Sequence, residues 1–182
     1  AIAAIFSAVR VDPLFTAFAV VAVQALITGA LHEDGLADTA DGLGGGRDRE
    51  SALLIMKDSR IGSYGAIALV LSIGLRVSAL AAFLPHLNPT GAGIAVLAVA
   101  ALSRTAMVWH WSSLPPARRD GVAVSAGEPQ AAATRFGLAF GIVSATLLLF
   151  LTSVPPLAVM VTLVAFSIAV PAFGQIVARK IG

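Results

Sequence analysis

The chain turns on residues 14–46, L-F-T-A-F-A-V-V-A-V-Q-A-L-I-T-G-A-L followed by H-E-D-G-L-A-D-T-A-D-G-L-G-G-G. The first part has few polar members besides Gln24 and Thr28. It is close to the ~20 residues that an α-helix needs to cross the hydrocarbon core of a bilayer. The second part packs Glu33, Asp34, Asp38 and Asp41 within nine residues. On a helix, Asp34, Asp38 and Asp41 stand at i, i+4 and i+7, within about 60° on one face. Like charges so spaced repel by roughly a few tenths of a kcal/mol per pair, so a positive partner is expected between them. Oxygen donors in a chain without cysteine point to Mg²⁺, with Mn²⁺ the alternative. An acidic cluster is ordinarily a solvated face. Beside a membrane segment, however, carboxylates are costly and tend to mark a site. Gly35 is expected to let a ligand approach the backbone, and Gly42 and Gly44, Gly45 and Gly46 to stop the helix and open a mobile loop.

Working outward, 58% of the 182 residues are hydrophobic and 12% charged, and the mean hydropathy is +0.90. The expected class is all-α, a polytopic integral membrane bundle in the lipid bilayer. A net charge of +2 without a long basic run argues against nucleic acid. The lack of cysteine excludes disulfides and thiolate metal sites. Five spans are expected, at 14–31, 63–84, 91–111, 131–152 and 157–178, with residues 1–9 as part of a sixth. Arg47, Arg49, Lys57, Arg60, Arg118, Arg119, Arg179 and Lys180 then fall on one side, and Arg10 alone on the other. The positive-inside rule puts the acidic motif on the cytoplasmic face, with an active-site loop at about 32–62 and a second loop at about 112–130.

Besides Arg135, just inside the span at 131–152, two arginines fall deeper within expected spans. Arg104 is read as an anion site near the cytoplasmic boundary, whereas Arg76 is balanced between an anion site and a plain helix-to-helix bond or snorkelling side chain. Trp109 and Trp111 mark a membrane interface. His32, beside Glu33, is a candidate substrate contact. Lys57 and Arg60 flank Asp58 and Ser59 just before Gly62, and such a cluster is either an ion-paired surface or a phosphate site. Carboxylates for a cation and basic groups for phosphates, gathered at one membrane face, suit phosphoryl-type transfer.

H-E-D-G-L-A-D-T-A-D-G-L-G-G-G, with M-K-D-S-R-I-G-S-Y-G after it, resembles the cobalamin synthase family, the adenosylcobinamide-GDP ribazoletransferases of the bacterial inner membrane. The likeness extends to S-R in the third span and to the P-P-A-R-R-D-G loop. It implies a membrane-bound, Mg²⁺-dependent transferase that joins adenosylcobinamide-GDP to α-ribazole or its 5′-phosphate and releases GMP. It also admits a homo-oligomer, or a complex with other enzymes of corrinoid synthesis. In this reading Glu33, Asp34, Asp38 and Asp41 hold the metal, one of them acting as base. Lys57, Arg60 and Arg104 hold the pyrophosphate, with Asp58 and Ser59 in the same loop, and Arg118 or Arg119 takes the remaining anion. The family pattern further implies sequence beyond both ends, including a Thr-Gly-Asp element shortly after Lys180. Residues 1–182 are therefore expected to be one transmembrane catalytic domain trimmed at both termini.

Three other readings compete. A CDP-alcohol phosphotransferase also uses helix-borne aspartates, but the arginine expected after D-G-x-x-A is replaced by Asp38. An aspartate-rich membrane prenyltransferase would show a second such motif. A cation transporter would want carboxylates near the bilayer midplane and matching broken helices in two halves, and no internal repeat is evident.

Overall fold

The structure is a computed structural model describing residues 1–115, 117, 124, 125, 127, 129–152 and 154–181. Among these the regular structure is entirely helical: α1 (Ile2–Ala8), α2 (Pro13–Ile27), α3 (Leu31–Gly45), α4 (Arg49–Ile55), α5 (Ser63–Phe83), α6 (Pro89–Ser113), α7 (Ala131–Phe150) and α8 (Pro156–Ile181). A 3₁₀ turn, Leu84–His86, extends α5.

Among the described residues four helices are long and apolar enough to cross a membrane, or five spans if the bent pair α2 and α3 counts as one. The expected polytopic all-α class, with about five spans, therefore holds. Large apolar side chains such as Val70, Leu75 and Leu157 point outward, each about 70% exposed, as lipid-facing positions do.

The first span differs from expectation. In place of one helix over 14–31, α2 ends at Ile27 and α3 leaves it at 88°. The amide of Ala30 donates to Ala25 O at 2.8 Å and that of Gly29 to Leu26 O at 3.2 Å, with Gly29 at φ +59°. That pair of bonds is a Schellman motif, which satisfies the last carbonyls of α2 and requires a left-handed residue where Gly29 stands. Fifteen residues rise only ~22 Å, short of the ~30 Å hydrocarbon thickness.

The chain divides into two compact units, residues 1–93 with Ile181, and residues 94–180. In the first, α5 is the spine. Its second half packs Val77 against Ala17 and Val21 of α2, with Ile73, Leu80 and Ala81 around them. Its first half lies against α3. Since Asp41 meets the start of α5 while Glu33 meets Arg76, α3 and α5 run in opposite directions. The second unit is built around Ala98 and Leu102 of α6, Ala145 and Leu149 of α7, and Val159 of α8. Alanines at these contacts let the helices approach closely, as membrane helices do when the hydrophobic effect supplies little driving force.

Candidate functional site

Segment 32–62, the connection expected to carry the site with its acidic motif on a helix, is mostly helical, α3 followed by α4. Helix α3 runs through Gly42 and Gly44 to Gly45, so these glycines do not stop it. Instead they admit neighbours: a methyl group on Gly42 would meet Met56 and Ala52 O of the α4 segment, and one on Gly44 the ring of Tyr64. The helix ends at Gly46, which lies against Ala52. Helix α4 starts with a reciprocal capping box in which Asp48 accepts from Ser51 N at 2.8 Å and Ser51 Oγ accepts from Asp48 N at 3.1 Å.

The four carboxylates of α3 face different surroundings. Glu33 accepts from the Arg76 guanidinium at 2.9 Å, with its side chain 13% exposed and that of Arg76 38%. Its other oxygen, Oε2, is buried without a hydrogen-bond partner. Arg76 is thus bound helix to helix, the plainer of its two readings. Asp34 is exposed and Asp38 half-buried. Asp41 is buried, and its two oxygens accept from Gly62 N at 2.7 Å and Gly65 N at 2.8 Å. Among the described residues, no three carboxylate or histidine side chains gather as a shared metal would need. His32 is exposed on the first turn of α3.

In the stretch before α5, Arg60 grips Asp58 in a bidentate pair at 2.6–3.1 Å, and its backbone amide donates to the same carboxylate. Those side-chain and backbone bonds hold the Asp58 carboxyl down to about 2. The Arg60 side chain is 87% exposed, so the pair sits at the surface. Lys57 and Ser59 are exposed beside it. The cations and the acidic helix belong to one unit, since Asp41 fixes the end of this stretch at Gly62.

Arg104 is exposed on α6, in the second unit, next to Thr105, which is buried against Gly141 of α7. Arg118 and Arg119 lie outside the described residues, as do nine of the nineteen residues of the expected loop at 112–130. Sequence reasoning missed two roles, that of Arg76 as partner of Glu33 and that of Gly62 and Gly65 as donors to Asp41. The signal for the second was present in I-G-S-Y-G, two glycines bracketing a helix start.

Mg²⁺ usually takes one or two carboxylates, with water and substrate phosphates completing its shell. Asp34 and Asp38, one turn apart with Cβ atoms ~6 Å from each other, suit such a site. The buried, unpartnered Oε2 of Glu33 offers a further acceptor on the same stretch of helix. A two-carboxylate site therefore fits α3 better than a cluster of all four.

These features define a polytopic helical membrane protein with a carboxylate-bearing helix packed along one of its spans. The cobalamin-5-phosphate synthase family model matches residues 1–182. The chain belongs to that family. It is 66% identical over 182 residues to the adenosylcobinamide-GDP ribazoletransferase of Rhizobium meliloti (strain 1021), covering all of this chain and 70% of the relative. It is 64% identical over 180 residues to that of Sinorhizobium medicae (strain WSM419), covering 99% and 69%. With that of Bradyrhizobium diazoefficiens it shares 47% over 178 residues, covering 98% and 65%. No solved structure matches the chain.

Proposed function

We propose that this chain carries out the adenosylcobinamide-GDP ribazoletransferase reaction for which its relatives are named, in a Mg²⁺-dependent manner and from the cytoplasmic side of the inner membrane. The observation that carries the reading is the family match over residues 1–182. The local geometry supports it: one helix bears Asp34 and Asp38, and the stretch with Lys57, Ser59 and Arg60 is tied to that helix through Asp41. The excess of basic residues in the loops expected on that side supports the orientation.

In the proposed reaction the ribazole 3′-hydroxyl oxygen forms a bond to the cobinamide-linked phosphorus. The bond from that phosphorus to the GMP oxygen breaks, and the hydroxyl proton passes to a carboxylate. Asp34 and Asp38 would hold the cation, which when bound neutralises the diphosphate and steadies the charge developing on the leaving phosphate. Lys57 and Arg60 meet the diphosphate oxygens. Arg60 is preorganised by Asp58, so its fork is held in one direction before substrate arrives. Glu33 and Arg76 fix the first turns of α3 against α5, so the aspartates are presented by a rigid element rather than a loop.

The test is GMP release by the purified protein in lipid, supplied with adenosylcobinamide-GDP, α-ribazole and Mg²⁺, and compared with CDP-linked donors. Turnover with the GDP-linked donor alone is expected, as is a loss of at least about a hundredfold in Asp34→Asn and Asp38→Asn, of the size removal of one key electrostatic group brings. Full turnover and unaltered Mg²⁺ dependence in both variants would defeat the metal assignment. Turnover of CDP-linked donors in place of the GDP-linked one would defeat the substrate assignment.

A further inference from the structure

Asp41 sits where the spacing of the acidic motif expects a metal ligand, yet its surroundings give it other work. It is 8% exposed, and both carboxylate oxygens are occupied by backbone amides, Oδ2 by Gly62 and Oδ1 by Gly65. Gly62 is the N-cap of α5 and Gly65 lies in its first turn. Amides in that turn have no partner within their own helix. No side chain of α5 caps them locally. Asp41 therefore does from another helix, 21 and 24 residues away, what a capping aspartate usually does from the adjacent residue. Its charge also suits the positive end of the α5 dipole. The arrangement excludes side chains at both donors, because a Cβ on Gly62 or Gly65 would fall on the carboxylate itself.

We propose that Asp41 is a positioning residue and not a metal ligand: it clamps the start of α5, and with it the stretch 57–62, against the helix that carries Asp34 and Asp38. The inference rests on the reading of these residues as the phosphate and metal groups only for its catalytic consequence; the clamp itself is a statement about geometry. The diphosphate-binding cations and the cation-holding aspartates belong to chain segments separated by α4, and the clamp joins them. Two glycines and one aspartate, far apart in sequence, form one functional unit.

The experiment compares Asp41→Asn, Gly65→Ala and the parent, full chain in lipid, by two readouts. A single cysteine at the exposed Ile61, in a chain that has none of its own, carries a spin label. The clamp predicts a more mobile label in both variants, whether or not the substrate assignment is right. Equal mobility in all three overturns it. In turnover, both variants are expected to raise KM for the GDP-linked donor about tenfold or more and to lower kcat. The Mg²⁺ concentration for half-maximal rate, at saturating donor, stays within about twofold of the parent. Gly65→Ala removes no oxygen ligand, so a shared pattern marks positioning. A tenfold higher Mg²⁺ requirement in Asp41→Asn, with Gly65→Ala like the parent, overturns the proposal and returns Asp41 to the metal. Should Gly65→Ala fail to insert, Gly62→Ala, which crowds the same carboxylate, replaces it.

Discussion

Breaking the Glu33–Arg76 pair tests how α3 is held. Arg76→Met keeps the length and apolar stem of the side chain but leaves the Glu33 carboxylate, 13% exposed, facing α5 without its cation. Removing one partner of a fully buried ion pair costs about 3–5 kcal/mol. Arg76 is 38% exposed, so screening reduces the figure, and about 2–3 kcal/mol is expected here. Glu33→Gln leaves Arg76 the more exposed survivor and should cost about 1 kcal/mol. The double variant has no orphaned charge, so it should be more stable than the two single losses added together by about 1–2 kcal/mol. The measurement is the unfolding free energy in mixed micelles on titration with denaturing detergent, followed by far-UV circular dichroism. Additivity within about 0.5 kcal/mol would show that the two side chains do not act on one another, and the account of α3 docking would fall.

Other expectations follow from single contacts. Gly35 has open space where a Cβ would sit, so Gly35→Ala should raise stability by up to about 1 kcal/mol. If a ligand approaches the backbone there, the same variant should lower turnover, a separation that detergent unfolding and GMP release together reveal. Gly46→Ala places a methyl on the Ala52 backbone and Gly42→Ala one against the Met56 side chain and the Ala52 carbonyl, and each should destabilise by about 1–3 kcal/mol. Ala at position 29 would have to adopt φ +59°, and the loss of the α2 stop should cost about 1–2 kcal/mol in the same unfolding assay. Asp58 is held below its unfolded value, so the stability from its pairing is fully present above that value and lost as pH falls through about 2. In Arg60→Gln its carboxyl, followed by NMR titration, should return toward the ordinary carboxylate range; an unmoved midpoint would refute the pairing.

The membrane class and the later spans were legible because they rest on long apolar runs, and a run of more than twenty such residues has few alternatives. The end of α2 was harder to see. T-G-A interrupts nothing in a hydropathy profile, yet Gly29, left-handed like Ala30 after it, lets the chain close the helix with its own carbonyls. The acidic motif was legible as a concentration of charge on one helix, which the structure keeps. Its partners were not, since the pairing of Glu33 with Arg76 joins residues 43 apart and that of Asp41 with Gly65 residues 24 apart. Periodicity within one segment says which face a carboxylate occupies but not what comes to meet it. The glycines misled for the same reason: read locally they are helix breakers, and only the approach of Met56, Ala52 and Tyr64 shows why a helix persists through them.

Four of the fifteen residues of α3 are glycines, a deficit of about 1 kcal/mol each relative to alanine. No isolated peptide of that composition would stay ordered in water. The order of this segment therefore depends on its packing against the span beginning at Ser63. The acidic motif thus takes its conformation from a membrane helix that follows it in the chain, and a piece ending before Ser63 would carry all four carboxylates without that support.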